Sequence, residues 1–343
     1  MAEPGERLAG YTTLRLGGPA SRLLHARTRD DLVGHVRDAD HDGEPVLLLA
    51  GGSNLVVADE GFPGTGLRIE TTGIDVRTAG GVRVTAEAGE SWDAFVARAV
   101  AEGWVGVETL SGIPGSVGAT PIQNVGAYGQ EVAQTIESVR CWDRAESLVV
   151  DIPAAECGFG YRTSRFKRGP GRFVVLAVTF ALQRGRLGAP VRYAELARHL
   201  GVEAGARVPL ADVRRAVLAL RARKGMVLDP ADHDTWSAGS FFTNPVLPRD
   251  QADRLPAEAP RWTQPDGAVK TSAAWLIEHA GFERGYGNGR VALSEKHTLA
   301  LTNRGNATTA DLLALAGQIR EGVHKHFRIW LVNEPVLVGC ELR

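Results

Sequence analysis

The sequence predicts a mixed α+β protein with more than one domain. Apolar and polar residues alternate from Val82 to Ala88, as in a strand, whereas residues 92–100 repeat apolar side chains at the spacing of a helix. At 343 residues, the chain is too long for one hydrophobic core of ordinary size. A polar segment at 226–236 predicts a boundary between two regions.

The predicted elements follow one another without an internal repeat. Most are bounded by residues that favour helix ends or turns. In the first region they are a helix at 30–39 after Thr28, a strand from Val46 to Ala50, a hairpin at 74–88 turning at Gly80-Gly81, a helix capped by Ser91 and ended by Gly103, a strand at 173–182, and a helix around Val213 to Leu220 that stops at Gly225. In the second region they are a capped helix at 271–280, two strands around 291–302, a helix at 309–326, and β structure at 328–332 and 335–339 that could return to an earlier sheet.

The charge balance excludes partners that depend on a strong electrostatic field. There are 39 Lys and Arg residues against 40 Asp and Glu, which leaves a formal net charge of −1. Nucleic-acid and membrane-surface binders rely on a large basic field, so we expect neither partner. Any anionic ligand must be met by locally placed groups.

Cysteine usage and hydropathy indicate a soluble, cytoplasmic protein. Cys141, Cys157 and Cys340 are odd in number and scattered, which excludes a disulfide framework or a zinc knuckle, and we expect no bound metal. The longest apolar run, Phe173 to Leu182, is about half of a membrane span. The N-terminus lacks the apolar segment of a signal peptide.

Two glycine-rich segments carry the strongest indication of chemistry. Glycine loop 1 (residues 51–54, GGSN) directly follows a predicted strand, and glycine loop 2 (residues 110–129) is long, aperiodic and rich in Gly and Pro. Glycines let the backbone approach a ligand closely, so that successive N–H groups can point at one anion. A nearly neutral protein would bind a diphosphate in this way. For glycine loop 1 alone, a tight connection between strands explains the sequence equally well.

The usual nucleotide-binding and hydrolase motifs are missing. The chain has no G-x-x-x-x-G-K-[ST], and no G-x-G-x-x-G follows the first strand, which disfavours P-loop hydrolases and Rossmann dehydrogenases. HExxH, CxxC and GxSxG are also absent. The glycines at 285, 287 and 289 are interpreted as a flexible turn.

Five ordered blocks resemble the signature segments of the UDP-N-acetylenolpyruvoylglucosamine reductase family. They are LAGGSNLVV (49–57), SGIPGSVGATPIQNVGAYGQE (111–131), FGYRTSRFK (159–167), SAGSFFTNP (237–245) and NEP (333–335). The resemblance implies an α+β FAD-binding fold of the vanillyl-alcohol-oxidase (PCMH) type with two flavin-binding subdomains and a separate α+β substrate-binding domain. We expect FAD subdomain 1 at 1–68 with the C-terminal strand 328–343, FAD subdomain 2 at 69–225, and the substrate-binding domain at 226–327.

The activity that this resemblance implies is an FAD-dependent, NADPH-using reduction of UDP-N-acetylglucosamine enolpyruvate to UDP-N-acetylmuramate in peptidoglycan precursor synthesis. By the same resemblance, Arg162 would hold the developing carboxylate, Ser240 would donate the proton, and Glu334 would assist its delivery. Taken alone, Arg162 would lie in a solvated basic loop, Ser240 would be a turn or cap residue, and Glu334 an exposed strand end.

The FAD contacts expected from the two glycine loops are numerous. They are Gly51, Gly52, Ser53, Asn54 and Leu55 from the first block and Gly112, Ile113, Pro114, Gly115, Gly118, Ala119, Asn124, Gly126, Ala127 and Tyr128 from the second.

Substrate contacts are expected from three further residues. The segment 190–196 resembles the insertion of the family's longer form, whose tyrosine closes over the UDP diphosphate, so Tyr193 is the candidate lid residue. Lys224 and Asn244 are further substrate contacts by resemblance. Alternatively, Tyr193 only staples the insertion to the core.

The chain departs from the family pattern at two positions. Ala50 replaces a common glycine, and Thr243 replaces a common basic residue, which leaves one expected phosphate contact open. No role is assigned to His297, and His324 and His326 are interpreted as a solvated helix end.

Two other hypotheses stay open: an FAD oxidase or dehydrogenase with another substrate, and a non-catalytic nucleotide-binding protein with a decayed site. The five blocks argue against the first, and the presence of Arg162, Ser240 and Glu334 gives no support to the second. We expect a monomer whose partners are the UDP-sugar and NADPH.

Overall fold

The computed structural model describes residues 6–343, which form eight α-helices and 18 β-strands. The helices are α1 (Arg29–Asp42), α2 (Trp92–Ala101), α3 (Arg165–Arg168), α4 (Ala194–Leu200), α5 (Leu210–Arg223), α6 (Arg249–Ala252), α7 (Ala273–His279) and α8 (Thr309–Phe327). The strands are β1 (Ala20–Ala26), β2 (Val46–Leu49), β3 (Leu55–Val57), β4 (Phe62–Ile69), β5 (Ile74–Arg77), β6 (Val82–Glu87), β7 (Trp104–Val105), β8 (Gly126–Ala127), β9 (Gln130–Glu131), β10 (Ile136–Asp143), β11 (Leu148–Pro153), β12 (Phe173–Arg184), β13 (Val246–Leu247), β14 (Arg261–Thr263), β15 (Val269–Thr271), β16 (Val291–Leu293), β17 (Leu301–Asn303) and β18 (Val336–Val338).

The chain divides into two compact units. In the described part of the chain, unit 1 comprises residues 6–20, 52–62 and 228–343, and unit 2 comprises residues 21–51 and 63–227. Glycine loop 1 therefore starts in unit 2 and continues in unit 1, whereas glycine loop 2 lies wholly in unit 2.

Unit 2 contains two sheets of three or more strands. The smaller has the strand order β1-β4-β2, with β2 parallel to β4, and the larger has the order β11-β10-β12-β6-β5. Neighbouring strands in the larger sheet are antiparallel. The largest core of unit 2 contains Trp92 and Phe95 of α2 and Phe180 of β12, and the Phe95 and Phe180 ring centroids are 4.9 Å apart. A separate cluster joins α4 to α5.

Unit 1 has a single large hydrophobic cluster around α8. One face of α8 contributes Leu312, Leu315 and Ile319, which share this cluster with Phe241 and Phe242. The Thr308 side chain begins α8 with a capping box. The C-terminal strand β18 pairs in parallel with β3, so that Val336 lies opposite Leu55.

Most predicted elements are confirmed, and one is wrong. The helix after Thr28, the 74–88 hairpin, the Ser91 cap and the return of the C-terminal strand to an earlier strand are all present. The strand predicted at 328–332 does not form, although Ile329 and Leu331 are buried and Trp330 and Val332 are exposed. The alternation is genuine, but this segment has no ladder of hydrogen bonds to a neighbouring strand, which a strand requires.

The division into two flavin-binding subdomains and a substrate-binding domain stays a prediction, and its first five residues lie outside the described part of the chain. Within residues 6–343, no helix combines the length and the apolarity that crossing a bilayer would need.

Candidate active site

The two glycine loops meet inside unit 2 at Gly51 and Gly115. A Cβ atom added to Gly51 would lie 2.7 Å from the Gly115 Cα, closer than side chains normally approach backbone. Only a residue without a side chain allows this contact. The pairing was not expected from the sequence, in which the two glycines are 64 positions apart.

Gly52 is required by local packing in unit 1. Its φ is +57°, and an added Cβ would lie 1.8 Å from the Tyr11 carbonyl oxygen. Its own carbonyl accepts the Thr13 N–H at 3.2 Å. Packing alone therefore requires glycine at position 52, whether or not a ligand binds there. Close approach to a ligand, which the sequence suggested, would be a second reason.

Side chains from elsewhere in unit 2 hold the irregular backbone of glycine loop 2. The Gly112 N–H donates to Asp93 Oδ1 at 2.6 Å, and Arg214 donates to both Asp93 carboxylate oxygens, at 2.6 and 2.9 Å. Burial raises the pKa of Asp93, but the bonds from Arg214 and Gly112 outweigh it, and the net pKa is lowered. Asp93 therefore stays ionised as a fixed anchor.

Asn124 organises the far end of glycine loop 2. It is buried with φ +47°, and its amide donates to Glu131 Oε2 at 2.8 Å and to the Gly160 carbonyl at 3.1 Å. Its side-chain oxygen accepts the Ala133 N–H at 3.1 Å. Asn124 thus connects the loop to the segment that carries Arg162.

Arg162 is bonded to glycine loop 2. Its Nη2 donates to the Gly126 carbonyl at 3.0 Å, and its guanidinium carbon is 5.6 Å from the centre of the Tyr161 ring. Its φ of +51° is unusual for a residue with a side chain, and such conformations persist where the surroundings impose them. The guanidinium is thus held within unit 2 beside residues predicted to bind the cofactor.

The other predicted FAD contacts are distributed over both units. Gly118 packs on Ala88, its N–H donating to the Ala88 carbonyl at 2.9 Å. Leu55 begins β3 beside Ser53 and Asn54, whereas Ile113 packs against the core of unit 2. Further members of glycine loop 2 lie in short regular segments: Ala119 ends the 3-10 turn Val117–Ala119, and Ala127 lies in β8. Pro114 connects Ile113 to Gly115.

Two groups that sequence reasoning did not single out are buried beside glycine loop 2. The Ser116 hydroxyl and the Arg221 Nε are both buried, and neither has a hydrogen-bond partner within residues 6–343. The Arg221 Nε is 3.4 Å from the position of a Cβ on Gly112, and burial lowers the pKa of this guanidinium. Ser116 lies inside a predicted loop, but nothing in the sequence separates Arg221 from the other arginines of α5.

Ser240 and Glu334 are brought together within unit 1. The Glu334 N–H donates to the carbonyl of Phe241, the residue after Ser240, at 2.8 Å, and Phe242 forms a β-bridge with Asn333. The Asn54 side chain donates to the Glu334 carbonyl at 3.4 Å. Hydrogen bonds therefore join residues from three separate sequence blocks, those that contain Asn54, Ser240 and Glu334.

The loop around Ser240 is fixed on both sides. The preceding Gly239 has φ +70°, and the following Phe241 is buried and donates its N–H to the Leu299 carbonyl at 2.7 Å. Ser240 itself is half-buried. The serine side chain is consequently presented from a constrained backbone.

Tyr193, Lys224 and Tyr128 form a cluster in unit 2. The Tyr128 and Tyr193 rings meet edge to face, with centroids 5.5 Å apart. Lys224 pairs with Glu195 at 2.6 Å, and its Nζ is 5.8 Å from the centre of the Tyr128 ring. Burial raises the pKa of Tyr128 to about 12 and also raises that of Tyr193. Both phenols remain protonated hydrogen-bond donors at neutral pH.

Asn244 lies in unit 1 and bonds to the start of α7. Its side-chain oxygen accepts the Ala273 N–H at 2.9 Å. The neighbouring Thr243 donates its N–H to the Val332 carbonyl at 3.0 Å. The expected substrate role of Asn244 is thus accompanied by a structural one.

Comparison with known proteins supports the fold on both parts of the chain. The family model described as FAD binding domain matches residues 20–152, and the model described as UDP-N-acetylenolpyruvoylglucosamine reductase, C-terminal domain, matches residues 229–338. The crystal structure of the Thermus caldophilus UDP-N-acetylenolpyruvylglucosamine reductase matches with a TM-score of 0.67 and 26% identity, covering 97% of each chain.

Curated relatives match over nearly the full length. The UDP-N-acetylenolpyruvoylglucosamine reductase of Thermobifida fusca is 58% identical, covering 98% of this chain and 97% of its own. That of Streptomyces avermitilis is also 58% identical, covering 98% and 94% respectively.

Fold and comparisons together define an oxidoreductase with an FAD-binding domain, and the predicted α+β fold class and enzyme class are confirmed. The chain belongs to the UDP-N-acetylenolpyruvoylglucosamine reductase family, whose members act in peptidoglycan precursor synthesis.

Proposed function

We propose that the protein reduces UDP-N-acetylglucosamine enolpyruvate to UDP-N-acetylmuramate in the cytoplasm, with NADPH as the reductant. The observation that carries this proposal is the contact between the Ser240 loop and Glu334 in unit 1, where the Glu334 N–H bonds the Phe241 carbonyl at 2.8 Å. A hydroxyl and a carboxyl carried on bonded segments form a suitable pair for delivering a proton.

The residues of the two glycine loops fit an FAD diphosphate. The Ser116 hydroxyl is buried beside Gly115 without a protein partner in the described residues, as expected of a group that meets a ligand. Gly51 and Gly115 allow the two loops to approach so closely that no side chain would fit between them. When bound, FAD would supply hydride from its N5 to the enolpyruvyl methylene carbon.

Arg162 has the chemistry to stabilise the negative charge that develops on the substrate. Hydride addition builds charge on the enolate and its carboxylate, which a fixed cation would stabilise. A guanidinium has five N–H donors, enough to bind both the Gly126 carbonyl and a substrate carboxylate.

Ser240 is the proposed proton donor, and Glu334 its proposed assistant. A serine hydroxyl is a poor acid in water, so it requires a constrained position and a partner. The half-buried Ser240, held between Gly239 and Phe241, meets the first requirement, and the bonded Glu334 segment offers the second. We assign Tyr193, Lys224 and Asn244 to the substrate, with Tyr193 over its diphosphate.

Spectroscopy of the two half-reactions tests the proposal. The purified protein should carry flavin absorption or take up added FAD, anaerobic NADPH should bleach it, and UDP-N-acetylglucosamine enolpyruvate should restore the oxidised spectrum. Failure of the purified protein to bind FAD would refute the proposed activity. Reoxidation by oxygen alone, with no response to the UDP-sugar, would favour the oxidase instead.

A further inference from the structure

Glu108 is a fully buried carboxylate that bonds three separate segments of unit 2. It opens the 3-10 turn Glu108–Leu110 after β7. One oxygen accepts the Gly106 N–H at 2.7 Å, and the other accepts Gln130 Nε2 at 3.1 Å and the Ala189 N–H at 2.5 Å. A carboxylate loses its hydration on burial, so these donors replace the lost water and their positions are fixed in turn.

Through Gln130, Glu108 fixes the hairpin that carries Tyr128. Gln130 Oε1 accepts the N–H and the hydroxyl of Thr109, at 2.9 and 2.8 Å, while its Nε2 donates to Glu108. Gln130 also pairs with Ala127 across β8 and β9. Tyr128 lies in the connection between these strands with φ +49°. The orientation of Gln130 therefore sets the hairpin turn.

Through Ala189, Glu108 fixes the segment that leads to Tyr193. Ala189 lies four residues before Tyr193, and Val191 in between donates its N–H to the Ala206 carbonyl at 2.9 Å. A Cβ added to Gly188 would lie 2.8 Å from Glu108 Oε1, so the segment passes directly over the carboxylate.

The two segments that Glu108 holds end in the same cluster, because the Tyr128 and Tyr193 rings are in edge-to-face contact at 5.5 Å. We propose that Glu108 is a positioning residue that sets the Tyr128–Tyr193 pair for binding of the UDP-sugar. This inference rests on the proposed function, in which Tyr193 contacts the substrate diphosphate. Glu108 acts through these tyrosines and touches neither cofactor nor substrate.

Glu108→Gln tests the proposal with the intact holoenzyme. The new amide NH2 faces either the Gly106 N–H, or both the Ala189 N–H and Gln130 Nε2. At least one buried hydrogen bond is therefore replaced by two opposed donors. We expect KM for UDP-N-acetylglucosamine enolpyruvate to rise roughly tenfold or more, while the rate of flavin reduction by NADPH, measured with FAD saturating, stays unchanged. An unchanged KM would overturn the proposal.

Asp143→Asn is the matched control for general destabilisation. Asp143 is also buried in unit 2, but it bonds Arg172 and the Ala145 N–H at the end of β10. This variant should lower thermal stability and leave KM unchanged. Equal rises of KM in both variants would mean that Glu108 acts only through stability.

A double-mutant cycle with Tyr193→Phe separates positioning from a merely structural role. If Glu108 acts by placing the Tyr193 hydroxyl, the double variant should show a smaller rise in KM than the product of the single effects. Multiplicative effects would overturn the coupling. If Tyr193→Phe leaves KM unchanged while Glu108→Gln speeds tryptic cleavage after Arg192, the substrate role of Tyr193 fails but the anchoring by Glu108 stands.

Gly188→Ala keeps the proposal testable if Glu108→Gln does not fold. The added methyl would press on Glu108 Oε1 without altering the buried carboxylate. KM should rise as it does for Glu108→Gln. Gly34→Ala, where an added Cβ meets nothing within 4 Å, is the matched control and should leave KM unchanged. Equal KM for both glycine variants and the wild type would refute the proposal.

Discussion

Replacing Gly51 with alanine should disrupt the meeting of the two glycine loops in unit 2. The new Cβ would lie 2.7 Å from the Gly115 Cα, whereas ordinary contacts begin at 3.4–4 Å, so the loops must separate by about 0.7 Å or more. The obstacle is backbone, which cannot rotate away as a side chain can. Forced overpacking of this kind costs about 1–3 kcal/mol.

This cost should appear in FAD affinity. If the strain falls on the FAD-binding arrangement of the loops, the dissociation constant for FAD should rise between about 5-fold and 150-fold. The melting temperature of the 343-residue apoprotein should fall by roughly 1 to 4 °C. Quenching of flavin fluorescence on titration of the apoprotein measures the first, and a thermal melt of the same apoprotein measures the second.

Gly34→Ala is the control for this substitution. Gly34 lies inside α1 with open space around it, so alanine there should leave FAD affinity unchanged and should not lower the melting temperature. Wild-type FAD affinity and stability in Gly51→Ala would contradict the predicted steric conflict with the Gly115 backbone. A lowered melting temperature with unchanged FAD affinity would mean that the Gly51–Gly115 contact stabilises the fold but does not contribute to FAD binding.

Three further predictions concern the chemistry. Ser240→Ala should leave flavin reduction by NADPH intact and slow flavin reoxidation by the UDP-sugar by several orders of magnitude, as measured by stopped-flow absorbance. Equal slowing of both steps would show that Ser240 is not the proton donor. Tyr193→Phe should raise KM more than it lowers kcat. An effect confined to kcat would contradict the proposal that Tyr193 closes over the substrate diphosphate. Burial raises the pKa of Tyr128 to about 12, so the difference in absorbance at 295 nm between the wild type and Tyr128→Phe should stay small up to pH 11. A difference that grows around pH 10 would show that Tyr128 has an ordinary pKa.

Local sequence patterns predicted the elements whose stability is local. Thr28 and Ser91 cap helices because their side chains reach N–H groups three residues away, a relation visible in the sequence. The wrong strand at 328–332 shows where this fails. Alternating burial from Ile329 to Val332 was correctly indicated, but the missing partner strand depends on the tertiary fold.

The candidate site was predictable as a set of segments and not as a set of contacts. The block that contains Ser240 and the block that contains Glu334 were both identified, yet their hydrogen bond spans more than 90 residues of sequence. The contact between Gly51 and Gly115 is equally non-local. Arg221 gave no signal because a single arginine on an amphipathic helix is ordinarily solvent-exposed.

Glycine loop 2 shows why a long aperiodic segment can still be rigid. Its backbone N–H groups must be satisfied, as everywhere in a folded protein, and without a strand ladder they bond scattered backbone carbonyls and side-chain oxygens. Among the side chains, Asp93 supplies an acceptor for the Gly112 N–H, and Asn124, inside the loop, bonds Glu131 and the Gly160 carbonyl outside it. Each anchor is a polar side chain held by further bonds, so the loop is fixed before any ligand arrives. In the proposed FAD site, this preorganisation would let a protein of net charge −1 present backbone dipoles to a dianionic diphosphate, because the ordering cost is met during folding.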